Sequence, residues 1–224
     1  MIRQFVFDLG RVLLRFEPEE YLRSMVSEEE TPVLMANIFR SQEWLDLDRG
    51  VLSEDDAATL ISARIPALGG TVERILREWP SILTPIEGSV ALLKEVRSQG
   101  YRTYLLSNFH RNAFQDVLGR YDFFNLFDGM LVSYEVGLLK PEPAIFDRLC
   151  HTFAIDPAES IFIDDHAPNI AAGIESGFRT VHFQDPLQCR RAVGRILRAH
   201  DGSGDFPDCM EQAAQGARTA ERAI

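Results

Sequence analysis

Four short polar clusters in the sequence hold residue types that could act together on a phosphorylated compound. In chain order the clusters are Asp8, Ser107-Asn108, Lys140 and Asp164-Asp165. Each follows a short apolar run or lies in a loop, where such residues alone are typical of turns, helix caps or solvated surface. Any shared chemistry therefore depends on a fold that brings the four clusters together.

The aspartates supply a nucleophile and ligands for a divalent cation. Asp8 carries a carboxylate that can attack phosphorus. Because a carboxylate and a phosphate repel each other, a cation must lie between them. Asp8 with Asp165, and Asp164 behind them, offers the hard oxygen ligands that Mg²⁺ prefers. The sequence therefore predicts Mg²⁺ as cofactor.

The other two clusters can hold the oxygens of a phosphate. Lys140, in the loop formed by residues 137–141, provides a positive point charge suited to a phosphate oxygen. Ser107 offers a hydroxyl, and the backbone amide of Asn108 offers a second donor. We predict that Asp8, Ser107 and Lys140 are catalytic, and that Ser107, Asn108 and Lys140 bind the substrate.

The elements that must position these clusters alternate between short apolar runs and helical patterns. Buried strands are predicted at residues 4–7, 102–106, 129–132, 160–163 and 179–183, and helices follow Thr84 and span residues 143–153, 169–176 and 187–199. This alternation predicts a Rossmann-like α/β fold, a parallel sheet with helices on both faces. Because the carboxyl ends of parallel strands share one edge, the four clusters are expected to meet in one crevice.

The stretch from residue 16 to residue 83 interrupts the alternation with helical patterns alone. Helices are predicted at residues 19–25, 33–39, 53–64 and 72–79. Ser53 with Asp56, and Thr84 with Glu87, resemble capping boxes that begin helices. The predicted domains are an α/β core (residues 1–15 and 84–200), a helical cap (residues 16–83) and a C-terminal tail (residues 201–224).

The clusters also resemble the four motifs of the haloacid dehalogenase superfamily, in the order that superfamily has them. The matching segments are Phe5-Val6-Phe7-Asp8-Leu9-Gly10, Leu105-Leu106-Ser107-Asn108, Lys140-Pro141-Glu142-Pro143 and Phe162-Ile163-Asp164-Asp165. The resemblance covers roughly residues 1–198 and implies a helical cap of the first type. Asp48-Arg49-Gly50 is similar to a cap segment in sugar-phosphate phosphatases of the α-glucose-1-phosphate type. The resemblance as a whole implies a Mg²⁺-dependent phosphatase. Such an enzyme forms an aspartyl phosphate and acts on a small metabolite, such as a sugar phosphate.

One position departs from the superfamily pattern. Its phosphatases usually carry a general acid and base two residues after the nucleophile, and here that position is Gly10. The resemblance assigns the backbone carbonyl of Gly10 as a metal ligand, so the cation loses nothing. His110 is an alternative proton donor or a surface residue at a helix start, and His166 is similar. Asn169 either orients the acidic pair or begins the next helix.

Charge and composition limit the partners. With 23 basic and 34 acidic residues the net charge is −11, which argues against non-specific binding to nucleic acid or to an anionic membrane. No signal peptide or apolar membrane span is recognisable, so a cytoplasmic protein, a monomer or homodimer, is expected. Cap residues such as Trp44, Asp48 and Arg49 are candidates to face the substrate.

Three other functions compete with the phosphatase. A metal-free 2-haloacid dehalogenase also uses an aspartate nucleophile, but that subgroup has an aromatic residue where this chain has Gly10 and lacks the acidic pair. A receiver-type phosphoacceptor has its acidic pair first in the chain, whereas here Asp164 and Asp165 come last. A catalytically weak phosphate-binding protein is the third, and Gly10 is the reason to consider it.

Overall fold

The structure, a computed structural model, describes residues 1–201 of the 224-residue chain. Its centre is a parallel sheet of five strands in the order β5-β4-β1-β6-β7. The strands are β1 (Gln4–Phe7), β4 (Arg102–Ser107), β5 (Gly129–Val132), β6 (Ser160–Asp164) and β7 (Arg179–His182). All five predicted strands are present, and the predicted α/β fold is confirmed.

Helices cover both faces of the sheet because its central strands are apolar on both sides. In β1, Phe5 and Phe7 face one buried cluster and Val6 faces another. The helices that connect or follow the strands are α6 (Glu87–Ser98), α7 (Arg111–Arg120), α8 (Ser133–Val136), α9 (Pro143–Phe153), α10 (Ala167–Glu175) and α11 (Pro186–Asp201). The first face is packed by α6, α7 and α11, and the second by α9 and α10.

The stretch between β1 and β4 is mainly helical, as its patterns predicted. It contains α1 (Pro18–Met25), α2 (Glu30–Leu34) continued by a π-helical turn (Met35–Phe39), α3 (Gln42–Arg49), α4 (Glu54–Arg64) and α5 (Gly69–Glu78). We call these residues, 18–82, the helical insert. It has an apolar cluster of its own that includes Leu22, Ile38, Ile61 and Ile75. Its assignment as a separate domain stays a prediction.

Two short strands join the helical insert to the α/β core, and sequence patterns did not reveal them. They are β2 (Leu14–Arg15) and β3 (Thr84–Pro85), which pair antiparallel. The predicted capping box at Thr84 is therefore wrong: Thr84 pairs with Arg15, and α6 begins only after Ile86, whose N–H donates to the Leu13 carbonyl. The predicted cap at Ser53 is confirmed, since its hydroxyl accepts the Asp56 N–H.

The last described element is longer than its predicted range by a few residues, because α11 continues to Asp201. The rest of the predicted C-terminal tail, residues 202–224, lies outside the described residues. Among the described helices, none has the length and apolar character needed to span a membrane.

Candidate active site

The four polar clusters meet at the carboxyl edge of the sheet. Asp8 directly follows β1, Ser107 ends β4 and Asp164 ends β6. Because β4 and β6 flank β1 in the sheet, these three positions are neighbours. Lys140 reaches the same place from the loop before α9. We call Asp8, Ser107, Asn108, Lys140, Asp164 and Asp165 the strand-end site.

Lys140 is the central cation of this site, and its side chain is only 1% exposed. Its Nζ lies 2.7 Å from Oδ1 of Asp8, 2.7 Å from Oδ2 of Asp164 and 2.9 Å from the carbonyl oxygen of Leu106. Burial alone would lower the pKa of Lys140, but the charges of Asp164 and Asp8 outweigh it and raise the pKa. The ammonium group is therefore held charged between two carboxylates.

Asn108 fixes the loop that carries Lys140. Its side-chain amide donates to the Lys140 carbonyl at 2.9 Å, and its side-chain oxygen accepts the Lys140 N–H at 2.8 Å. The neighbouring Ser107 is buried, and its Oγ lies 3.5 Å from the Asn108 carbonyl oxygen. The Asn108 side chain thus positions the lysine. The phosphate-binding roles predicted for the Ser107 hydroxyl and the backbone amide of Asn108 stay predictions.

Asp164 is fully buried and its carboxylate is held from several directions. Besides Lys140, it accepts the backbone N–H of His166 at 2.8 Å and the side-chain amide of Asn169 at 3.0 and 3.1 Å. Of the two alternatives for Asn169, the structure shows hydrogen bonding to the acidic pair, through Asp164; α10 begins two residues earlier, at Ala167. Asp165 is half-buried and more open. The exposed His166 contributes its backbone, not its ring.

The carboxylates of Asp8, Asp164 and Asp165 form a compact acidic group. Each offers an oxygen that lies within 4.8 Å of the others. Burial raises the pKa of Asp8 to about 7; Lys140 opposes this rise, while Asp164 and Asp165 add to it. Burial, and then Asp164, also raise the pKa of Asp165. Three crowded carboxylates with one lysine fit a divalent cation, whose charge would favour their ionised forms.

Gly10 lies in the turn after Asp8 and forms an isolated β-bridge with Leu14. A Cβ built at Gly10 would meet no described atom within 4 Å. Its backbone is also outside the left-handed region that favours glycine. Space and backbone therefore both permit a side chain at this position, although its predicted role as a carbonyl ligand stays a prediction.

An aromatic wall stands between the helical insert and the α/β core. It consists of Phe16, Phe39, Trp44, Trp79 and Phe109, whose neighbouring ring centroids lie 4.7–6.1 Å apart. His110 joins it, with ring centroids 4.2 Å from Trp44 and 5.2 Å from Trp79. One prediction for His110 was a surface residue at the start of a helix. His110 does lie directly before α7, but it is only 1% exposed and is therefore not a surface residue.

Asp48, at the end of α3, brings a carboxyl group from the helical insert toward the strand-end site. Its Oδ1 lies 3.4 Å from Nε2 of His110. Burial raises the pKa of Asp48 well above its usual range; the charge of Asp8 raises it further, whereas Lys140 lowers it. The sequence offered Asp48 only as one of several cap residues, because its partner His110 lies far along the chain.

The segment Asp48-Arg49-Gly50, which we call the docking segment, is bound directly to the α/β core. The Ser133 hydroxyl donates to the Asp48 carbonyl at 2.5 Å. Arg49 donates to the Gly137 carbonyl at 3.0 Å and pairs with Glu142. Gly50 has φ +75°, and a Cβ there would lie 2.5 Å from the Tyr134 carbonyl oxygen. Only glycine fits this left-handed turn against the core.

Comparison with known proteins places this geometry in a family. Residues 2–177 match the family model of the haloacid dehalogenase-like hydrolases. This range includes all six residues of the strand-end site. The chain belongs to the haloacid dehalogenase-like hydrolase family. The family resemblance predicted from the four motifs is thereby confirmed.

Several characterised proteins are similar to the chain over most of its length. The sesquiterpene phosphatase astK of Aspergillus oryzae is 26% identical over 193 residues, 84% of this chain and 95% of that protein. The D-ribitol-5-phosphate phosphatase of Bacteroides thetaiotaomicron is 24% identical over 213 residues, 89% of this chain and all of that protein. A HAD family enzyme of the same bacterium, crystallised with magnesium and inorganic phosphate, shares the fold, with TM-score 0.66 and 23% identity over 83% of this chain and 96% of its own.

Proposed function

We propose that the protein is a Mg²⁺-dependent phosphatase that hydrolyses a small phosphorylated metabolite through an aspartyl phosphate on Asp8. The observation that carries the proposal is the contact of Lys140 with Asp8 and Asp164 beside Asp165 at the carboxyl edge of the sheet. Asp8, Asp164 and Asp165, with the Gly10 carbonyl, would hold the cation. The chemistry that bound Mg²⁺ supplies here is charge neutralisation between a carboxylate and a phosphate.

The residues of the chain divide the remaining work. Asp8 attacks phosphorus, and the ester bond to the leaving group breaks. Lys140, held by Asp164 and by the Leu106 carbonyl, neutralises charge next to the attacking carboxylate. The Ser107 hydroxyl and the Asn108 amide bind phosphate oxygens as the charge on them grows. Water then hydrolyses the aspartyl phosphate and releases inorganic phosphate.

The acidic group favours this function over its rivals. A metal-free dehalogenase needs no cluster of three carboxylates next to its nucleophile, and Gly10 lacks the aromatic side chain of that subgroup. The two phosphatase relatives point the same way. A weak phosphate-binding protein would share the strand-end site but would not turn over a substrate.

Two substrate classes have support. Sugar and sugar-alcohol phosphates follow from the resemblance of the docking segment and from the ribitol-5-phosphate phosphatase relative. The half-buried rings of Phe16, Phe39 and Trp44 in the aromatic wall favour a second class, phosphates of apolar alcohols, because apolar chains pack well against rings. The sesquiterpene phosphatase relative supports that class too.

A substrate panel with an Asp8→Asn variant tests the proposal. The panel contains sugar phosphates, sugar-alcohol phosphates, isoprenoid monophosphates and 2-haloacids, each with Mg²⁺ or with excess chelator. We expect release of inorganic phosphate only with Mg²⁺, and a loss of roughly 10⁴-fold or more in Asp8→Asn, as for other nucleophile deletions. Asp147→Asn, an exposed aspartate on α9, is the matched control.

Two outcomes would contradict the proposal. A folded Asp8→Asn variant with nearly wild-type turnover would exclude Asp8 as nucleophile. Halide release in excess chelator, without phosphate release, would make the protein a dehalogenase. Circular dichroism and a thermal unfolding curve establish that the variant is folded.

A further inference from the structure

An enzyme that breaks a phosphate ester must also deal with the leaving oxygen. An alkoxide leaves poorly unless a proton is delivered to it, and such general acid catalysis is typically worth about 10²–10⁴-fold. Gly10 has no side chain to deliver that proton. Some other group near Asp8 must do so if alkyl phosphates are substrates.

Asp48 and His110 form a buried polar pair that has no role in the mechanism described so far. Its carboxyl group is of a type that can deliver a proton to the leaving oxygen. The Asp48 carboxyl approaches Nε2 of His110 at 3.4 Å, inside the interface of the helical insert and the core. By strict hydrogen-bond geometry, neither ring nitrogen of His110 has a partner among the described residues, although a backbone group of Trp44 lies near the ring. Leaving buried polar atoms unpaired costs free energy, so such exceptions are few and each calls for an explanation.

The position of Asp48 is fixed by the core and not by the insert alone. Its own carbonyl accepts the Ser133 hydroxyl at 2.5 Å, and that hydroxyl in turn accepts the Phe109 N–H at 3.0 Å. One serine therefore ties Asp48 to the residue that precedes His110. Such rigid support is what an effective catalytic group needs.

The electrostatic surroundings favour a protonated Asp48. The charged and titratable groups that face it are His110, Asp8 and Lys140. Burial and Asp8 raise its pKa, as described above. Burial also lowers the pKa of His110 to about 3, although the Trp44 backbone opposes this. A neutral imidazole therefore stands beside a carboxylic acid, and the imidazole itself is too weak a base to carry the proton.

We propose that Asp48 is the catalytic acid and base that replaces the missing side chain at Gly10, and that His110 is its positioning residue. This rests on the phosphatase function proposed above. As the bond from Asp8 to phosphorus forms, the electron pair of the ester bond passes to the leaving oxygen, which takes the Asp48 proton. The Asp48 carboxylate then accepts a proton from the water that attacks the aspartyl phosphate. Inorganic phosphate leaves, and both aspartates return to their starting states.

The test compares leaving groups that differ in their need for a proton. 4-Nitrophenyl phosphate needs none, whereas glycerol 2-phosphate releases a poor alkoxide. Asp48→Asn should lower kcat/KM for the alkyl substrate by about 10²-fold or more, and for the aryl substrate by only a few-fold. The matched control is Asp46→Asn on the same helix, whose carboxylate accepts a hydrogen bond from Gln42 and lies near the charge of Arg49, not near the strand-end site.

A second variant shows whether the lost function is proton transfer. Gly10→Asp restores the usual acid at a position where a Cβ meets no described atom within 4 Å. The double variant Asp48→Asn with Gly10→Asp should recover most of the alkyl rate. At position 110, Gln keeps a polar side chain that can hydrogen-bond Asp48 and Leu does not, so only His110→Leu should change the ratio of alkyl to aryl rates strongly.

The outcomes separate this inference from the function on which it rests. If the wild type hydrolyses neither of these esters nor any phosphate of the substrate panel, the phosphatase proposal itself fails. If it hydrolyses both, and Asp48→Asn lowers both rates equally or neither, Asp48 is not the acid. The inference is also overturned if Asp48→Asn has the alkyl-to-aryl rate ratio of the wild type and adding Gly10→Asp leaves that ratio unchanged.

Discussion

The strand-end site and the surface that the helical insert turns toward it are built on opposite principles. In the strand-end site the Lys140 ammonium group makes three short polar contacts: 2.7 Å to the Asp8 carboxylate, 2.7 Å to the Asp164 carboxylate and 2.9 Å to the Leu106 carbonyl. On the insert side, aromatic rings surround His110, and its Nε2 lies 3.4 Å from the Asp48 carboxyl group. One region is held by charge and has room for a cation, and the other keeps polar atoms of His110 without a hydrogen bond of good geometry.

Under the proposed function, the strand-end site would bind the phosphoryl group, which all substrates share. The insert side would contact the leaving group, which differs between substrates. A phosphoryl group is the same in all phosphate esters, so the groups that receive it can be fixed before it binds. The leaving group varies in polarity and in its need for a proton. Under the proposed function, the aromatic rings and the Asp48 carboxyl group on the insert side would meet these two needs. Variants in the two regions should therefore fail in different ways.

The largest effect is expected from removing the charge of Lys140. Lys140→Met keeps the length of the side chain but leaves the Asp8 and Asp164 carboxylates without their cation. Breaking a buried ion pair on one side typically costs about 3–5 kcal/mol. We expect the free energy of unfolding in chelator to fall by about that much near pH 8, and turnover to fall by at least about 10²-fold for all leaving groups.

The pH dependence of this loss follows from the same charges. Without Lys140 the buried carboxylates can avoid their cost only by binding protons, so the deficit should shrink as the pH falls toward 5. Lys94→Met is the matched control, since Lys94 is the only other lysine in the sequence and is exposed. Urea unfolding at several pH values measures both variants. A Lys140→Met protein as stable as wild type at pH 8 would contradict the central place of this ion pair.

A smaller effect, measured without any substrate, is expected from Mg²⁺. A cation that binds only the folded protein stabilises it by about 2.7 kcal/mol at 100 times its dissociation constant. Mg²⁺ should therefore raise the unfolding temperature of the wild type, and excess chelator should reverse the rise. Asp165→Asn should reduce the Mg²⁺-dependent shift, because its carboxylate is the most open of the acidic group.

The control for the Mg²⁺ experiment is again Asp147→Asn, which removes one negative charge outside the acidic group. It should shift with Mg²⁺ as the wild type does. Equal shifts in wild type and Asp165→Asn would show that the cation binds elsewhere or that Asp165 is not a ligand.

The two regions also differ in how far the sequence predicts them. The strand-end residues follow apolar runs directly, so strand prediction alone places Asp8, Ser107 and Asp164 at one edge of the sheet. Asp48 and His110 are brought together only by the docking of α3 on the core, which no local pattern encodes. The wrong capping box at Thr84 has the same origin: pairing with Arg15 overrides a local helix signal. Burial of His110 against Trp44 and Trp79 was equally beyond local reasoning.

The smallest effect is expected at the docking segment, where Arg49 pairs with Glu142. The Arg49 hydrogen bond lowers the pKa of Glu142; burial opposes this, and the Leu139 amide assists it. A carboxylate with a lowered folded-state pKa stabilises the protein above its unfolded pKa, and that stabilisation is lost as the pH falls through the lower, folded value. Since both side chains are about one-third exposed, at 32% and 37%, Glu142→Gln should cost no more than about 1 kcal/mol near neutral pH.

The difference in unfolding free energy between wild type and Glu142→Gln should therefore begin to shrink as the pH falls below the usual glutamate pKa. It should vanish only below the lower, folded-state pKa of Glu142, because Gln does not titrate. Glu175→Gln, an exposed glutamate at the end of α10, should show no such pH-dependent difference. If the docking segment also holds Asp48 in place, Glu142→Gln should lower the ratio of alkyl to aryl phosphate hydrolysis slightly, and less than Asp48→Asn does. A pH-independent difference in stability would mean that packing, not the ion pair, joins α3 to the core.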